Sequence, residues 1–373
     1  MKSPYNSFES DPLAAAGGTT AGGLSFLRSY EVLIDALLTS PTGVCDPRAR
    51  INMPPEPYRP APELNDKQLR EGAIELVRPN LAKWNLLYQS LADDASKRLL
   101  LVVLAYRSLG WKYVRMPLDN DAFWALLGEL AGMAESEGVP PFLLEKGLRR
   151  FNLANLDRDV VVYTEPFGVF NEFYYAQYHY RGMKRIIAPE PGDYVIDCGA
   201  CFGGTSLNFA DMVGPRGRVY SFEFLPENLH VFHHNLHENI NLLHRISLAV
   251  NPVWSQSGLT MSIVGSGPGA QVHVADVDGA QKVQSAKIDD FVTMNGLPKV
   301  NFIKMDIEGA EIEALKGAMG TIERHRPKLA ICVYHDLTHF YEVPRLLSGI
   351  HDDYRFYFGH SSTHGDESVI FAV

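Results

Sequence analysis

The sequence predicts an α/β protein with a Rossmann-like, doubly wound sheet of seven strands, preceded by a mainly helical N-terminal region. From Pro191 onward, short apolar runs typical of buried strands alternate with segments of helical spacing. The run from Tyr194 to Ser206 reads Y-V-I-D-C-G-A-C-F-G-G-T-S, in which a strand leads into a glycine-rich turn that opens a helix. A closing pair of apolar runs, separated by a polar turn, predicts that the sheet ends in an antiparallel hairpin.

Composition limits the classes of function. The 373 residues exceed one typical domain, so a main domain with an accessory region is expected. A net charge of -10 disfavours a nucleic-acid partner, because phosphate backbones are bound by dense basic surfaces. No apolar run approaches the roughly 20 residues of a membrane span. The four cysteines show no paired metal spacing outside the glycine-rich turn, and we expect a soluble cytoplasmic protein with reduced thiols.

Three regions are predicted along the chain. Residues 1–62 should contain a flexible tail, a short helix from Leu24 to Leu38 and a proline-rich spacer from Pro41 to Pro62. The spacer has an alternative interpretation as a docking peptide for a partner. Residues 63–159 are predicted to be a helical accessory region, a scaffold through which the chain can form a homo-oligomer. Residues 160–373 form the main domain.

The accessory region is expected to be helical from Glu63 to Arg150, with breaks at Pro79, at Gly110 and around Pro117. Its run from Leu99 to Tyr106 is apolar on every side and predicts a central buried helix. A strand is predicted from Val160 to Tyr163. The aromatic residues that follow, between Phe167 and Tyr180, either pack in the core or form the roof of a pocket.

The main sheet is predicted to use seven strands. They are Tyr194–Ile196, Arg218–Phe222, Ile246–Val250, Val300–Met305, Lys328–Tyr334, Tyr354–Phe358 and Ser368–Ala372. Between the third and fourth strands lies an insertion from Gln256 to Ser285, with two strand-like runs, Leu259–Val264 and Lys282–Ser285. Such an insertion can cover an acceptor site.

Acidic residues close the first two strands. Asp197 begins a D-x-G-x-x-x-G spacing through Gly199 and Gly203, in place of the dinucleotide fingerprint G-x-G-x-x-G. Pyrophosphate is therefore not the favoured ligand, and the pattern favours the sulfonium nucleoside S-adenosylmethionine; a bare strand-turn-helix is the alternative. Glu223, at the end of the second strand, can accept two hydrogen bonds from a ribose diol, and Leu248 to Val250 should lie near the adenine.

Further polar residues follow the fourth and fifth strands, where ligands of parallel sheets bind. Glu308 is the candidate general base, with a helix N-cap as the alternative. Asp306 with His335 and Asp336 can orient a substrate hydroxyl or bind a divalent ion, and we assign no metal ligands. Four histidines on the helix from Pro226 to Asn239 are interpreted as a solvated face rather than a metal site; they are His230, His233, His234 and His237.

Four ordered motifs resemble those of the FkbM family of S-adenosylmethionine-dependent methyltransferases. They are D-C-G-A-C-F-G-G-T, S-F-E-F-L-P-E-N, K-I-D-D-F and F-I-K-M-D-I-E-G-A-E-I-E-A-L-K-G-A. The resemblance covers roughly residues 192–373, although Cys201 stands where the family usually has asparagine and Phe224 where it usually has proline. It implies a class I methyltransferase sheet and methyl transfer to a hydroxyl of a sugar, glycan or natural product.

We therefore expect two groups of site residues. The cofactor-binding group is Asp197, Gly199, Ala200, Gly203, Thr205, Glu223, Asn228, Ala249 and Asp306. The catalytic group is Glu308, Asp306, His335 and Asp336. Two other functions remain as alternatives: a nicotinamide-dependent Rossmann oxidoreductase, which the missing G-x-G-x-x-G disfavours, and a methyltransferase-like scaffold that binds the cofactor without catalysis.

Overall fold

The computed structural model describes residues 25–42, 46, 48, 64–182 and 185–373. The predicted tail and most of the proline-rich spacer lie outside these residues. The chain divides into two compact units, one of residues 1–126 with 355–368 and one of residues 127–354 with 369–373. In the described ranges, no helix is long and apolar enough to cross a membrane.

The first unit is built from helices. Its principal helices are Phe26–Thr39, Asp66–Val77, Leu81–Ser90 and Asp94–Leu109, and Asp121–Gly132 begins in it. The helix Asp94–Leu109 is capped by the Asp93 side chain, which accepts from the Ser96 backbone N–H, and it ends at Gly110. Its residues from Leu100 to Tyr106 are all buried, which confirms the predicted central helix.

The prediction of an entirely helical segment from Glu63 to Arg150 is wrong at its end. Arg149–Asn152 is a strand that pairs antiparallel with Val161–Thr164. The four residues R-R-F-N are too few to show a hydrophobic period, and the partner strand supplies their hydrogen bonds. The break at Pro79 is a 3₁₀ turn, Arg78–Asn80, and only a single helical turn, Pro141–Glu145, precedes the strand.

The main sheet has the predicted seven strands. They are β1 Tyr194–Cys198, β2 Arg218–Phe222, β3 Ile246–Ala249, β4 Phe302–Met305, β5 Lys328–Cys332, β6 Phe356–His360 and β7 Ser368–Ala372. The order across the sheet is β6-β7-β5-β4-β1-β2-β3. Strands β1 to β5 pair in parallel, and β7 runs antiparallel to β5. The Rossmann-like class I methyltransferase fold is thereby confirmed.

Helices and, in the described residues, three small sheets accompany these strands; one of them is the pair of Arg149–Asn152 and Val161–Thr164. The helices are Gly204–Val213, Pro226–Glu238, Ile240–Leu243, Ile288–Met294, Glu311–Lys316, Met319–His325 and His339–Ile350. The insertion forms a three-stranded antiparallel sheet, in which Thr260–Val264 lies between Gln271–His273 and Lys282–Gln284. The sequence predicted two of these strands; the third has only three residues and no readable alternation. Tyr180–Gly182 pairs with Arg185–Ile187.

A buried ion pair joins the two central strands. β1 extends to Cys198, so Asp197 lies inside the strand rather than at its exposed end, opposite Lys304 of β4. Lys304 Nζ lies 3.2 Å from Asp197 Oδ1, and both side chains are almost completely buried. Burial opposes the charge on Lys304, but Asp197 and Asp306 outweigh it and raise its pKa. Ser206 Oγ donates to Asp197 Oδ2 at 2.6 Å.

Lys304 also fixes the start of the glycine-rich turn. Its Nζ donates to the carbonyl oxygens of Cys198 at 3.1 Å and Gly199 at 2.6 Å. It lies 4.9 Å from the ring centre of Tyr178, within cation–π range. One buried cation therefore connects β4, β1 and the aromatic segment that precedes the sheet.

Glu172 is a second carboxyl group in this region. It lies on a π-helical turn, Phe170–Tyr174, and its side chain packs against Gly204, where a Cβ would come within 1.9 Å of Glu172 Oε2. Burial raises the pKa of Glu172 to about 8, because the nearby Lys304 only partly compensates and Asp197 adds to the increase. Glu172 is therefore mostly protonated at neutral pH.

We predict that Lys304→Met lowers the free energy of unfolding by about 3 to 5 kcal/mol, because it leaves the buried Asp197 carboxylate without its cation. Urea denaturation followed by circular dichroism measures this loss. Lys316→Met is the matched control, since its pair with Glu313 is exposed and should contribute about 1 kcal/mol or less. Equal stability of the two variants would show that the buried pair is unimportant.

We also predict that Glu172 makes stability decrease with rising pH. An ordinary glutamate pKa of 4.5 in the unfolded chain and about 8 in the folded one means that the folded state holds the extra proton between these values. The stabilisation is complete below pH 4.5 and is lost as the pH rises toward 8. Glu172→Gln, a neutral isostere, should unfold at higher urea than wild type at pH 8, by on the order of 1 kcal/mol or more.

The exposed Glu165→Gln serves as the control for that substitution. If Glu172→Gln and wild type change in parallel between pH 5 and 8, Glu172 does not carry the proton.

Candidate functional site

Two glycines of the turn after β1 lie in close contact with neighbouring protein atoms. Gly199 has φ of 78°, and a Cβ there would lie 1.8 Å from the backbone oxygen of Asp306. Gly203 has φ of 86°, and its Cβ would lie 1.7 Å from the ring of Phe232. The sequence predicted both glycines as part of the cofactor site. In the structure, both positions require glycine because a Cβ atom there would collide with neighbouring protein atoms.

Glu223 connects the turns after β1 and β2. Its Oε2 accepts from the Cys201 backbone N–H at 2.9 Å, and its Oε1 accepts from Phe224 and Leu225 at 2.7 and 2.9 Å. The side chain is 5% exposed. Burial raises the pKa of Glu223 despite these hydrogen bonds. Cys201 holds a left-handed φ of 48°, an uncommon conformation for a residue other than glycine, so this contact fixes a strained turn.

A pocket opens beside this carboxylate. Its lining includes Gly199, Phe222, Glu223, Phe224, Leu225, Asn228, Asn251, Pro252, Val253, Pro268, Ala270, Val272, Asp306, Ile307, Glu308 and Ala310. Asn228 Nδ2 donates to Glu223 Oε2 at 3.3 Å. Its Oδ1 is buried and has no hydrogen-bond partner among the described residues. The pocket therefore combines apolar walls with a buried oxygen that still requires a donor.

The pocket brings together some of the residues predicted for a cofactor. Gly199, Glu223, Asn228 and Asp306 line it. The other predicted residues are not among the lining residues of this pocket, and they are Asp197, Ala200, Gly203, Thr205 and Ala249. Thr205 is buried in the first turn of Gly204–Val213, and the Ala249 carbonyl accepts from the Glu223 backbone N–H at 3.2 Å. Their direct contact with a cofactor stays a prediction.

Asp306 is held by two tyrosines that the sequence did not single out. Tyr178 Oη donates to Asp306 Oδ2 at 2.6 Å, and Tyr334 Oη donates to Oδ1 at 3.1 Å. Tyr178 belongs to the aromatic segment before the sheet, whereas Tyr334 directly follows β5. Sequence position alone could not connect hydroxyl groups 156 residues apart, the difference between 334 and 178.

His335 lies between two carboxylates of the turn after β4. Its Nε2 is 3.5 Å from Asp306 Oδ1 and 3.5 Å from Glu308 Oε2. Its Nδ1 is 3.0 Å from Glu311 Oε1. Neither ring nitrogen has a well-oriented hydrogen bond to the residues that the structure describes, so the attraction is chiefly electrostatic. The predicted juxtaposition of Asp306, Glu308 and His335 is present.

The electrostatics of the cluster are set by opposing effects. Burial disfavours a charge on His335, but Glu308, Glu311 and Asp306 outweigh it and raise its pKa to about 11. Burial likewise opposes ionisation of Glu311, but His335 and His339 lower its pKa to about 2. Glu311 is completely buried and paired, and its Oε1 accepts from the Ile307 backbone N–H at 3.0 Å.

Glu308 does not cap a helix. The following helix begins at Glu311 with Ala310 as its N-cap, which receives no side-chain hydrogen bond from the described chain. The helix-cap alternative is therefore wrong. Glu308 holds a left-handed φ of 55°, which typically costs a non-glycine residue about 1 kcal/mol or more. Glu308 lines the pocket, and its Oε2 lies 3.5 Å from His335 Nε2.

Asp336 lies apart from this arrangement. Its Oδ1 accepts from the backbone N–H and the hydroxyl of Thr338, at 2.7 and 2.8 Å. These bonds lower the pKa of Asp336, against the effect of burial. Within the described chain, Asp306, Glu308 and His335 have the ligand types and spacing of a cation site. The sequence predicted Asp336 as the third member of this group, and the structure has Glu308 instead.

The histidines of Pro226–Glu238 form no such group. His230, His233 and His237 are exposed. His230 stacks on Phe142, with ring centres 4.2 Å apart. The fourth, His234, is half-buried and contacts the Tyr163 ring edge. The interpretation as a mostly solvated face is confirmed.

Comparison with known proteins supports the fold and identifies a domain type within the chain. The family described as "Methyltransferase FkbM domain" matches residues 197–360. Methyltransferase FkbM from Methylobacillus flagellatus is similar in structure, with 19% identity and a TM-score of 0.51 over 82% of this chain and 62% of that one. Fibrillarin from Aeropyrum pernix, solved with S-adenosyl-L-methionine, gives 14% identity and a TM-score of 0.33, over 49% and 67% of the two chains.

One short sequence relative is also found. Protein-L-isoaspartate O-methyltransferase from Aeropyrum pernix is 44% identical over 45 residues, which are 12% of this chain and 17% of that protein. The chain thus spans under two thirds of the length of this relative and of the Methylobacillus structure. The family match begins at Asp197, near the end of β1, and extends through β6, so it includes the glycine-rich turn and the Asp306 cluster. Residues 197–360 therefore form a methyltransferase domain of the FkbM type, and the order of the sheet agrees with this match.

Proposed function

We propose that this protein is an S-adenosylmethionine-dependent O-methyltransferase, which transfers a methyl group to a hydroxyl of a sugar, a glycan or another natural product. One observation carries the proposal. A single pocket is lined both by Glu223 and Asn228, at the nucleoside side of the sheet, and by Asp306 and Glu308 beyond it. A cofactor group and an acceptor hydroxyl can therefore meet inside one cavity.

The residues at the nucleoside side fit S-adenosylmethionine. Glu223 directly follows β2, a position at which an acidic side chain accepts hydrogen bonds from a ribose diol. Asn228 Oδ1, buried without a donor from the described chain, suits a hydroxyl or amino group. Phe222, Phe224 and Leu225 supply an apolar surface for a base. When bound, the cofactor supplies an electrophilic methyl group.

The other side of the pocket suits deprotonation of an alcohol. An alcohol has a pKa far above neutrality, so its proton must leave during methyl transfer. Glu308 provides a carboxylate at the pocket wall, and its position beside His335 is set by the left-handed turn. Tyr178 and Tyr334 hold Asp306 in one orientation, from which it can align the hydroxyl. We infer that Glu308 accepts the proton and that Asp306 and His335 position the acceptor.

The insertion supports an acceptor with an apolar part. Pro268, Ala270 and Val272 from this small sheet line the same pocket. Gly267 N–H also donates to the Glu227 carboxylate, which anchors the insertion to the helix Pro226–Glu238. Together with the net charge of -10, these contacts favour a neutral acceptor over an anionic one. We further propose a cytoplasmic location and assembly through the N-terminal helices.

Calorimetric titration tests cofactor binding. We predict that S-adenosylmethionine binds and that Glu223→Ala weakens binding by about 1 to 3 kcal/mol, the contribution of hydrogen bonds to a charged group. Asn228→Ala should weaken it less, and the exposed Glu165→Ala should leave it unchanged. Nicotinamide dinucleotides are titrated in parallel. Binding of those instead, or full affinity in a folded Glu223→Ala protein, would refute this assignment.

Methyl transfer is tested with labelled cofactor and a panel of sugars, glycolipids and cell extract, with products identified by mass. Glu308→Gln should lower the rate by about 100-fold or more while cofactor affinity is retained, because it removes the proton acceptor. Glu313→Gln, on the adjacent helix, is the matched control. If Glu308→Gln keeps most of the rate across the pH range, the base must be sought elsewhere. Cofactor binding without any methylated product would favour the scaffold function.

A further inference from the structure

We propose that Asp306, Glu308 and His335 bind a divalent cation of the Mg²⁺ or Mn²⁺ class, which holds the acceptor hydroxyl in the pocket. This inference rests on the proposed function, since it assigns a second ligand to the same site. One ligand atom from each of the three residues lies within 4.8 Å of the others. Around an octahedral ion with bonds of about 2.1 Å, ligand atoms stand roughly 3 to 4 Å apart, so small side-chain rotations would suffice.

The position of His335 is a second observation that points to a metal site, besides the two carboxylates. The His335 side chain is 7% exposed, and Nε2 has no hydrogen-bond partner within the described ranges. It is directed between Asp306 Oδ1 and Glu308 Oε2, 3.5 Å from each. His335 Nε2 faces two carboxylate oxygens, where a third ligand would lie, and a cation bound there would replace the proton on Nε2, because histidine binds metals as the neutral imidazole.

The residues behind the three ligands have the arrangement typical of metal sites. A metal-bound histidine usually directs its other ring nitrogen to a carboxylate, and ligating carboxylates are themselves hydrogen-bonded. His335 Nδ1 lies 3.0 Å from Glu311 Oε1, and Glu311 is completely buried. Asp306 receives hydrogen bonds from Tyr178 and Tyr334.

Charge and ligand type favour the same conclusion. The carboxylates of Asp306, Glu308 and Glu311 surround His335, so negative groups outnumber the imidazole in a mostly buried site. The two carboxylates suit Mg²⁺ and Mn²⁺, and the group contains no thiolate, the soft ligand that selects zinc. Three protein ligands leave about three positions for water and an acceptor hydroxyl. A carboxylate that binds through one oxygen keeps the other for the hydroxyl proton.

Mn²⁺ alone is the probe. Electron paramagnetic resonance of the full chain titrated with MnCl₂, without S-adenosylmethionine or acceptor, should reveal one bound ion per chain. Glu308→Gln should weaken Mn²⁺ binding at least 10-fold. Glu313→Gln removes the same charge from the following helix, and this control variant should bind Mn²⁺ as wild type does. Tyr334→Phe should weaken it by about 10-fold, the usual effect of removing a hydrogen bond behind a ligand.

The inference is overturned if wild type binds no Mn²⁺, or if Glu308→Gln and Glu313→Gln bind it equally. Should Glu308→Gln not fold, the wild-type melting temperature decides, since one specific ion must raise it in proportion to the logarithm of Mn²⁺ concentration and no increase contradicts the site. Calorimetry of S-adenosylmethionine in chelator separates the two proposals. Cofactor binding without Mn²⁺ binding refutes only the cation, and Mn²⁺ binding without cofactor binding refutes only the proposed function.

Discussion

The ion pair between Lys304 and Asp197 is the interaction on which the rest of the site depends. A lysine and an aspartate with almost no solvent exposure, on adjacent central strands, must be paired because an isolated buried charge is far too costly. The same ammonium group binds the carbonyls of Cys198 and Gly199 and lies over Tyr178. It thereby sets the position of the glycine-rich turn, and Gly199 in turn packs on the Asp306 backbone. The Lys304 ammonium group thereby connects the Gly199 side of the pocket to the Asp306 side.

A second constraint is backbone strain at the strand ends. Cys201 after β1 and Glu308 after β4 both hold left-handed conformations, and neither is glycine. Each is held in place by a carboxylate behind it: Glu223 binds the Cys201 N–H, and Glu311 binds the Ile307 N–H before Glu308. Strain of this kind is retained where a structure must aim a particular side chain. Here the strained Glu308 lines the pocket, and the adjacent Gly309 also has a positive φ, of 99°.

The sequence predicted the sheet well because its strands are buried, apolar and bounded by glycine or acidic residues. The closing hairpin was predicted from its two apolar runs, and the family resemblance implied the class I methyltransferase sheet. Prediction failed where an element is short: R-R-F-N at 149–152 and Q-V-H at 271–273 are strands only because partners supply their hydrogen bonds. The strand-end residues Glu223, Asp306 and Glu308 were predicted from position alone. Lys304, Glu172, Tyr178 and Tyr334 were not, because their importance comes from contacts between segments far apart in the chain.

The central claim is that one pocket joins a nucleoside-binding end, at Glu223 and Asn228, to a catalytic end, at Asp306, Glu308 and His335. A crystal structure with S-adenosylhomocysteine, the cofactor without its transferable methyl group, tests this claim most directly. The account predicts ribose hydroxyls bonded to Glu223, a donor on Asn228 Oδ1 and the sulfur facing the Asp306 turn. A ligand bound elsewhere, or one whose sulfur faces away from Asp306 and Glu308, would contradict it.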